Sequence, residues 1–391
     1  MAGEKAVPEA CPVDRKESMK FTCNVATLKR ALALLKLDEP KTHLSITAQA
    51  AQLQFRCDTD DGKFCIDHTT PAEVEVPGTV TISADALPRI CEHTTNETLQ
   101  FRHHERHGCL DIEGEQHQHV VRTYVEKGLN PALEEPTDVH EYEIPASQFG
   151  KALNTVLFAS EKPSDAEGAD RRAGVTGALF QPHDGEYRIV TTDGKRMAVL
   201  TLPSARALGD TETPVPKRAM AYNACVKMVN LIESLKPEVC RLRFAENVVS
   251  FEAEDVVLRC LLPQENFPNY LSVLEGAAAP LEVKVNREKL LWALRIIHVE
   301  DNPNHRTEFR FSDGQLTVGN NTHLGKSEAS VPIQYEGPDT ATTIDSRFSE
   351  EALLHTDATN VTFWLNPDTH RLSPILLDLA QNFRYLVMPL R

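Results

Sequence analysis

The 391-residue sequence contains no apolar run of the about 18 residues that a membrane span needs, so a soluble chain without membrane partners is expected. Residues 1–18 carry no apolar segment of the signal-peptide kind, and a short polar, Pro-bearing extension of this sort is expected to be disordered. There is no CxxC. The nine cysteines (Cys11, Cys23, Cys57, Cys65, Cys91, Cys109, Cys225, Cys240 and Cys260) are scattered and odd in number. That pattern predicts reduced thiols, several of them core fillers, in a cytoplasmic protein. GxSxG, HExxH, P-loop and GxGxxG motifs are all missing, so nothing supports an enzyme, and neither catalytic residues nor a cofactor are expected. Positive charge is in deficit: 41 Lys and Arg stand against 57 Asp and Glu, a net charge of −16. An acidic average surface disfavours coating nucleic acid all over, but leaves room for a local basic face.

What the sequence does contain is a threefold repeat. Asn24–Leu32, Pro145–Leu153 and Asn286–Leu294 each place apolar residues four, seven and eight positions after the first residue. These are Leu28, Ala31 and Leu32, then Phe149, Ala152 and Leu153, then Leu290, Ala293 and Leu294. This is one face of a 3.6-period helix. A short alternating strand precedes each helix, at Lys20–Cys23, Glu141–Ile144 and Leu281–Val285. A second strand and helix follow in every unit, with helices expected over Ala84–Glu92, Lys217–Leu235 and Arg347–His355. A strand pair then closes each unit: Leu99–Arg102 with Cys109–Ile112, Arg241–Phe244 with Val248–Phe251, and Val361–Trp364 with Ile375–Leu377.

The repeats start roughly 120 and 140 residues apart, a normal domain spacing. Three α+β domains are therefore expected, at 19–139, 140–280 and 281–391, each with antiparallel sheets covered by two helices. Linkers are expected at Lys127–Asp138 and Glu275–Pro280.

The helices are short, paired and basic on their polar positions. Three units supply six of them, and a head-to-tail dimer supplies twelve. At about 10 Å per helix, twelve helices give a circumference of ~120 Å and a diameter of ~38 Å through the axes. Removing a helix radius of about 5–6 Å on each side leaves a hole of ~27 Å, wide enough for a hydrated duplex.

Several segments carry a family resemblance. Met19-Lys-Phe-Thr22 opens the chain's first repeat, and Val190-Thr-Thr-Asp-Gly-Lys-Arg-Met-Ala198 is similar to a middle-domain signature of the form ATDGHRLA. Asn266-Phe-Pro-Asn-Tyr270 is similar to FPDY, and Tyr385-Leu-Val-Met-Pro-Leu-Arg391 to a C-terminal VMPMR. Gly314–Val318 and Glu328-Ala-Ser330 fit the same third domain. In order and at fitting spacing over 19–391, these resemble the bacterial DNA polymerase III beta subunit, the sliding clamp.

The resemblance implies a ring-shaped homodimer of DNA-clamp domains, joined domain 1 to domain 3, with sheets outside and helices inside. Such a ring encircles duplex DNA without reading its sequence and tethers the replicative DNA polymerase. It further implies a cleft between domains 2 and 3 that receives short linear peptides from the polymerase, the clamp loader and repair proteins. The matching positions are Val175, Thr192, Gly194, Lys195, Arg196, Met197, Pro268, Val273, Phe348, Ser373, Leu386, Met388, Pro389, Leu390 and Arg391. In that cleft Met197 and Met388 are expected to offer adaptable apolar surface, and Arg196 to hold a polar or acidic group of the peptide. Lys195 stands where the family usually carries His, Ser272 where some members carry Arg, Asp345 where Asn is common, and Leu390 where a second Met is usual.

Contacts to DNA are expected from Lys29, Arg30, Lys151, Lys217, Arg218, Lys227, Arg287, Lys289 and Arg295 on the helices, with Arg171 and Arg172 on a loop. Two other readings stay open. One is an enzyme on a repeated α+β scaffold, using Asp193, Lys195 and Arg196. The other is a clamp-fold scaffold that has lost its replicative role. The His-rich stretch Phe101–Cys109 with His117 and His119 fits no zinc spacing and reads as a solvated hairpin. Asp58–Gly62 lacks the twelfth-position Glu of a calcium loop and reads as a turn. No metal is expected.

Overall fold

The computed structural model of the chain describes residues 17–37, 43–59, 61–124, 133, 139–163, 174–209, 215–297, 305–322, 325–366 and 373–390. Apart from Glu17 and Ser18, the N-terminal extension lies outside these residues, as do Arg171, Arg172 and Arg391. The expected linker 127–138 also lies outside them except for Leu133, which is buried.

Seven α-helices form among the described residues: α1 (Val25–Leu35), α2 (Ala86–His93), α3 (Ala146–Val156), α4 (Tyr222–Leu235), α5 (Tyr270–Gly276), α6 (Arg287–Ile297) and α7 (Ser346–Leu354). The repeated apolar positions explain α1, α3 and α6. Leu28, Ala31 and Leu32 of α1, with their counterparts on α3 and α6, all point into cores. Asn24 caps α1 by accepting from the amides of Ala26 (2.9 Å) and Thr27 (3.3 Å), satisfying two donors that the first turn leaves unpaired. Asp345 caps α7 in the same way through the Arg347 amide (3.1 Å).

Two expectations need correction. The helix expected over Lys217–Leu235 begins only at Tyr222. Upstream, the Lys217 carbonyl accepts from the Phe267 amide (2.7 Å), and Met220–Ala221 pairs as a strand with Gly177–Ala178. Lys217 and Arg218 are thus off the helix. Gly177 makes this pairing possible: at φ +134° a Cβ there would lie 1.8 Å from the Met220 carbonyl oxygen. The linker expected at Glu275–Pro280 begins inside α5, and Ala277 within it is a core residue.

Contacts gather the chain into two compact units. The first comprises Met1–Val139, Cys240–Arg243 and Val248–Leu261. It holds a five-stranded sheet in the order Glu73–Val76, Met19–Asn24, Thr98–His104, Cys109–Glu113 and Gln118–Arg122. A second run of strands follows the order Val248–Ala253, Val256–Leu261, Phe64–Pro71, Gln52–Asp58, His43–Gln49 and Gly78–Ser83. Strict alternation puts Met19, Phe21 and Cys23 inward, with Phe21 stacked on Phe101 at 4.5 Å. Buried Asp67 holds the second run together. It accepts from Arg56 Nε at 2.5 Å and is also paired with Arg259 on the neighbouring strand.

The second unit comprises His140–Val239, Phe244–Asn247 and Leu262–Arg391. Its eight-stranded sheet runs Met220–Ala221, Gly177–His183, Glu186–Thr192, Arg196–Leu202, Phe383–Val387, Ile375–Ala380, Asn360–Leu365 and Leu281–Asn286. A four-stranded sheet runs Gly325–Pro332, Gln315–Thr322, Arg306–Ser312 and Thr340–Asp345. Helix α3 packs on α4, and α6 on α7. Antiparallel sheets with paired helices make this an α+β fold, as the repeat predicted.

Candidate functional site

Within the second unit, three strands and Met388–Leu390 form the segment to which the resemblance assigns the peptide cleft. The strand Glu186–Thr192 turns through Asp193–Lys195 into Arg196–Leu202, with Thr192 opposite Met197. Two side chains hold this turn. The Asp193 carboxylate accepts from the amides of Lys195 (2.9 Å) and Arg196 (3.0 Å). The Thr192 hydroxyl donates to the Arg196 carbonyl (2.5 Å) and accepts from the Gly194 amide (3.1 Å). Gly194 sits at φ +84°, where a residue without Cβ is favoured. On the other side Arg196 pairs with Val387 and Met197 with Leu386. The chain then leaves the sheet as a strap: the Met388 amide donates to the Lys195 carbonyl (2.8 Å), and the Leu390 amide to the Thr343 carbonyl (2.7 Å).

The floor is apolar. Met197, Leu386, Phe267, Tyr270, Leu376 and Ala277 belong to one buried cluster, on which Leu271 and Leu274 of α5 also pack. Pro268 and Val273 stand at the outer side of this segment, both exposed. Val273 and Met388 are each 39% exposed, among the few large apolar side chains left open. Lys195 is exposed. Val175, Phe348, Ser373, Pro389 and Leu390 are half-buried, and Thr192 is buried. Met388 is thus open to solvent, whereas Met197, expected to offer surface, is buried in the cluster on a strand whose residues 197–200 are all buried.

Arg196 also departs from expectation. Its guanidinium does not face outward to await a peptide group. Nε donates to Asp193 (2.9 Å), one terminal nitrogen pairs with Glu351 of α7, and the other donates to the Phe158 carbonyl (2.8 Å). The guanidinium lies over the Phe348 ring at 4.4 Å and the Phe158 ring at 5.5 Å. Burial works against its charge, but neighbouring Tyr385, Glu351 and Asp193 outweigh that and raise its pKa. Around it, Phe158 stacks on His355 at 4.3 Å and on Tyr385 at 5.7 Å, and the Tyr385 hydroxyl donates to the Phe348 carbonyl (3.0 Å). Phe158, Glu351 and His355 carry no local signal that would mark them, since each meets Arg196 or its neighbours only through the fold.

Of the basic residues expected to meet DNA, Lys29 and Arg30 on α1, Lys151 on α3 and Lys289 on α6 are exposed. Lys227 is half-buried on α4. Arg287 donates to the Leu353 carbonyl (2.9 Å), and Arg295 is paired with Glu350 (2.8 Å). Arg218 donates to Asn247 (2.7 Å) and to the Glu246 carbonyl (3.1 Å), and Lys217 is exposed beside it.

Three histidines of the His-rich stretch have separate polar partners, and the His117 and His119 rings lie 5.1 Å apart. His103 meets the Ser18 hydroxyl (3.0 Å), His104 meets Asp111 (3.4 Å) and His117 meets the Thr94 hydroxyl (2.8 Å). Among the described residues no group of three or more His, Cys, Asp or Glu is placed to hold a metal ion. Asp61 accepts from the Thr59 hydroxyl (2.7 Å) and the Lys63 amide (3.0 Å), closing a turn. The eight described cysteines are buried and unbridged, and burial pushes the thiols of Cys23, Cys65 and Cys91 up to about 11. No described helix is long and apolar enough to cross a membrane.

No protein-family model matches the chain. Known proteins do. The "Beta sliding clamp" of Synechococcus elongatus is 23% identical over 95% of this chain and 99% of its own length. Among solved structures, the DNA polymerase III subunit beta from Pseudomonas aeruginosa superposes with a TM-score of 0.80 at 19% identity, covering 95% of this chain and 100% of that one. The sliding clamp from Bartonella birtlesii bound to griselimycin gives 0.79 at 19% identity, with the same coverage. The chain is thus similar in sequence to beta sliding clamps along nearly its whole length, and it has the fold of the solved DNA polymerase III beta clamps.

Proposed function

We propose that the protein is a DNA sliding clamp. Two copies close head to tail around duplex DNA in the cytoplasm and confer processivity on the replicative DNA polymerase. They hold the polymerase, the clamp loader and repair proteins by short linear peptides, and they carry no catalytic site or cofactor. The repeats serve as three domains, 19–139, 140–280 and 281–391, whose basic helices face the duplex. Topology then retains the DNA, so phosphate contacts stay weak and the clamp slides.

The observation that carries this reading is the exposure of two large apolar side chains, Val273 and Met388, each close in sequence to a residue of one buried apolar cluster, Leu274 packing on it and Leu386 within it. Exposed apolar groups next to a rigid, desolvated floor suit a short peptide with a few apolar anchors. Dimer formation has its own support. The five-stranded sheet ends on Gln118–Arg122, an open edge with Val120 exposed, and the four-stranded sheet ends on Gly325–Pro332. Trp292 and Ile296, one turn apart on α6, are also exposed. Pairing the two edges between copies removes both from aggregation, and six similar domains complete the circle.

The test is primer extension by the replicative polymerase on singly primed circular DNA, with clamp loader, with and without this protein. Longer products are expected in its presence. Product length that does not respond, together with a chain that runs as a monomer near 43.6 kDa, defeats the proposal.

A further inference from the structure

From the geometry around Arg196 we infer that Arg196 and Glu351 act together as a positioning pair that sets the peptide groove, with Glu351 controlling peptide affinity from outside it. The inference rests on the groove reading above.

Arg196 belongs to the groove by sequence position, yet its side chain is only 10% exposed. All three of its nitrogens are committed, to Asp193, Glu351 and the Phe158 carbonyl. A planar guanidinium held in this way between two aromatic faces, with three of its five N–H donors engaged and most of it buried, is poorly placed to reach a ligand. What it does hold is the turn. Asp193, its partner through Nε, is the same carboxylate that accepts from the Lys195 and Arg196 amides. The Lys195 carbonyl in turn accepts from the Met388 amide. A continuous chain of polar contacts thus runs from Glu351 on α7, through Arg196 and Asp193, to the backbone that seats Met388. Removing the charge of Glu351 loosens one end of that chain without touching an apolar groove residue.

Glu351 is half open, with 47% of its side chain exposed, so replacing it leaves no buried carboxylate partner stranded in an apolar core. The unpaired group would be Arg196, which is buried, and it would seek a new partner by shifting the turn. Both effects fall on the groove.

The experiment is a double-mutant cycle on the full-length chain, with griselimycin as the probe and calorimetric titration as the readout. The variants are Glu351→Gln, Arg196→Gln and the double variant. Wild type is expected to bind. Each single variant is expected to weaken binding by about tenfold, within the usual range for coupled sites. The double variant is expected to be no weaker than Arg196→Gln alone, because both changes break one chain of contacts. If wild type does not bind griselimycin, the groove reading itself falls. If wild type binds and Glu351→Gln binds equally well, or if the two losses add in full, the positioning pair is overturned and Arg196 acts on the ligand directly. Should Arg196→Gln fail to fold, Glu351→Gln decides alone. An affinity loss with an unchanged melting temperature supports the pair, and unchanged affinity removes it.

Discussion

The Met388 amide donates to the Lys195 carbonyl at 2.8 Å, one residue beyond the last strand pair, Arg196 with Val387. Together with the bond from Leu390 to Thr343, it fastens Met388–Leu390 as a strap rather than as part of the sheet. Deleting Met388–Arg391 therefore removes one wall while leaving every strand intact. Loss of the polymerase binding proposed above is expected, with an unchanged dimer by light scattering. A deletion that dissociates the dimer shows that the strap is structural.

The two methionines of the groove separate binding from stability. Met388 is exposed, so Met388→Ala is expected to cost about 1–2 kcal/mol in ligand binding and little in stability. Met197 lies in the buried cluster with Phe267 and Tyr270, so Met197→Ala is expected to cost about 2–5 kcal/mol in urea unfolding. If the two variants exchange these phenotypes, the division of the groove into floor and open wall is wrong.

This contrast marks what was legible in the sequence. The 3.6-residue spacing of Leu28, Ala31 and Leu32 and of its two copies fixed α1, α3 and α6, because each helix has one face to bury. The short helix α5 went unseen: with seven residues it spans too little of a period to signal. The start of α4 was misplaced because Ala219 and Met220 continue an apolar pattern that the fold uses in a strand. The turn at Asp193–Lys195 is legible in its Thr-Asp-Gly motif, whereas the partnership of Arg196 with Glu351 is not. Those residues are 155 positions apart, and only tertiary packing joins them.

The exposed basic residues Lys29, Arg30, Lys151 and Lys289 are expected to carry most of the contact to the duplex. Each one that neutralises a phosphate contributes about 0.9 to the slope of log affinity against log salt. Replacing all four with Ala is expected to flatten that slope by roughly 3–4 and to shorten retention on nicked circular DNA, with peptide binding unaffected. Arg295 is already paired with Glu350, so Arg295→Ala is expected to change the slope least among the α6 cations. Retention that is indifferent to the fourfold variant removes the assignment of these side chains.

Acid stability gives an independent check on the first unit. Burial lowers the pKa of His68, and although Asp255 pulls it back up, Arg30 pushes the same way as burial. Burial likewise lowers His103, against an opposing pull from Glu105. Both imidazoles are therefore harder to protonate in the folded chain than in the unfolded one, whose histidines titrate near 6.5. The unfolded state then takes up protons first as pH falls. Stability from these groups is whole above about pH 6.5 and is lost as pH drops toward their depressed folded values. Urea unfolding at pH 7.5 and pH 5.5 is expected to show wild type losing stability across this window. His68→Gln cannot be protonated, so it is expected to lose measurably less over the same interval, even if it is less stable at pH 7.5. An equal loss in both proteins would mean that His68 titrates alike in the folded and unfolded chain, and that its burial costs its charged form nothing.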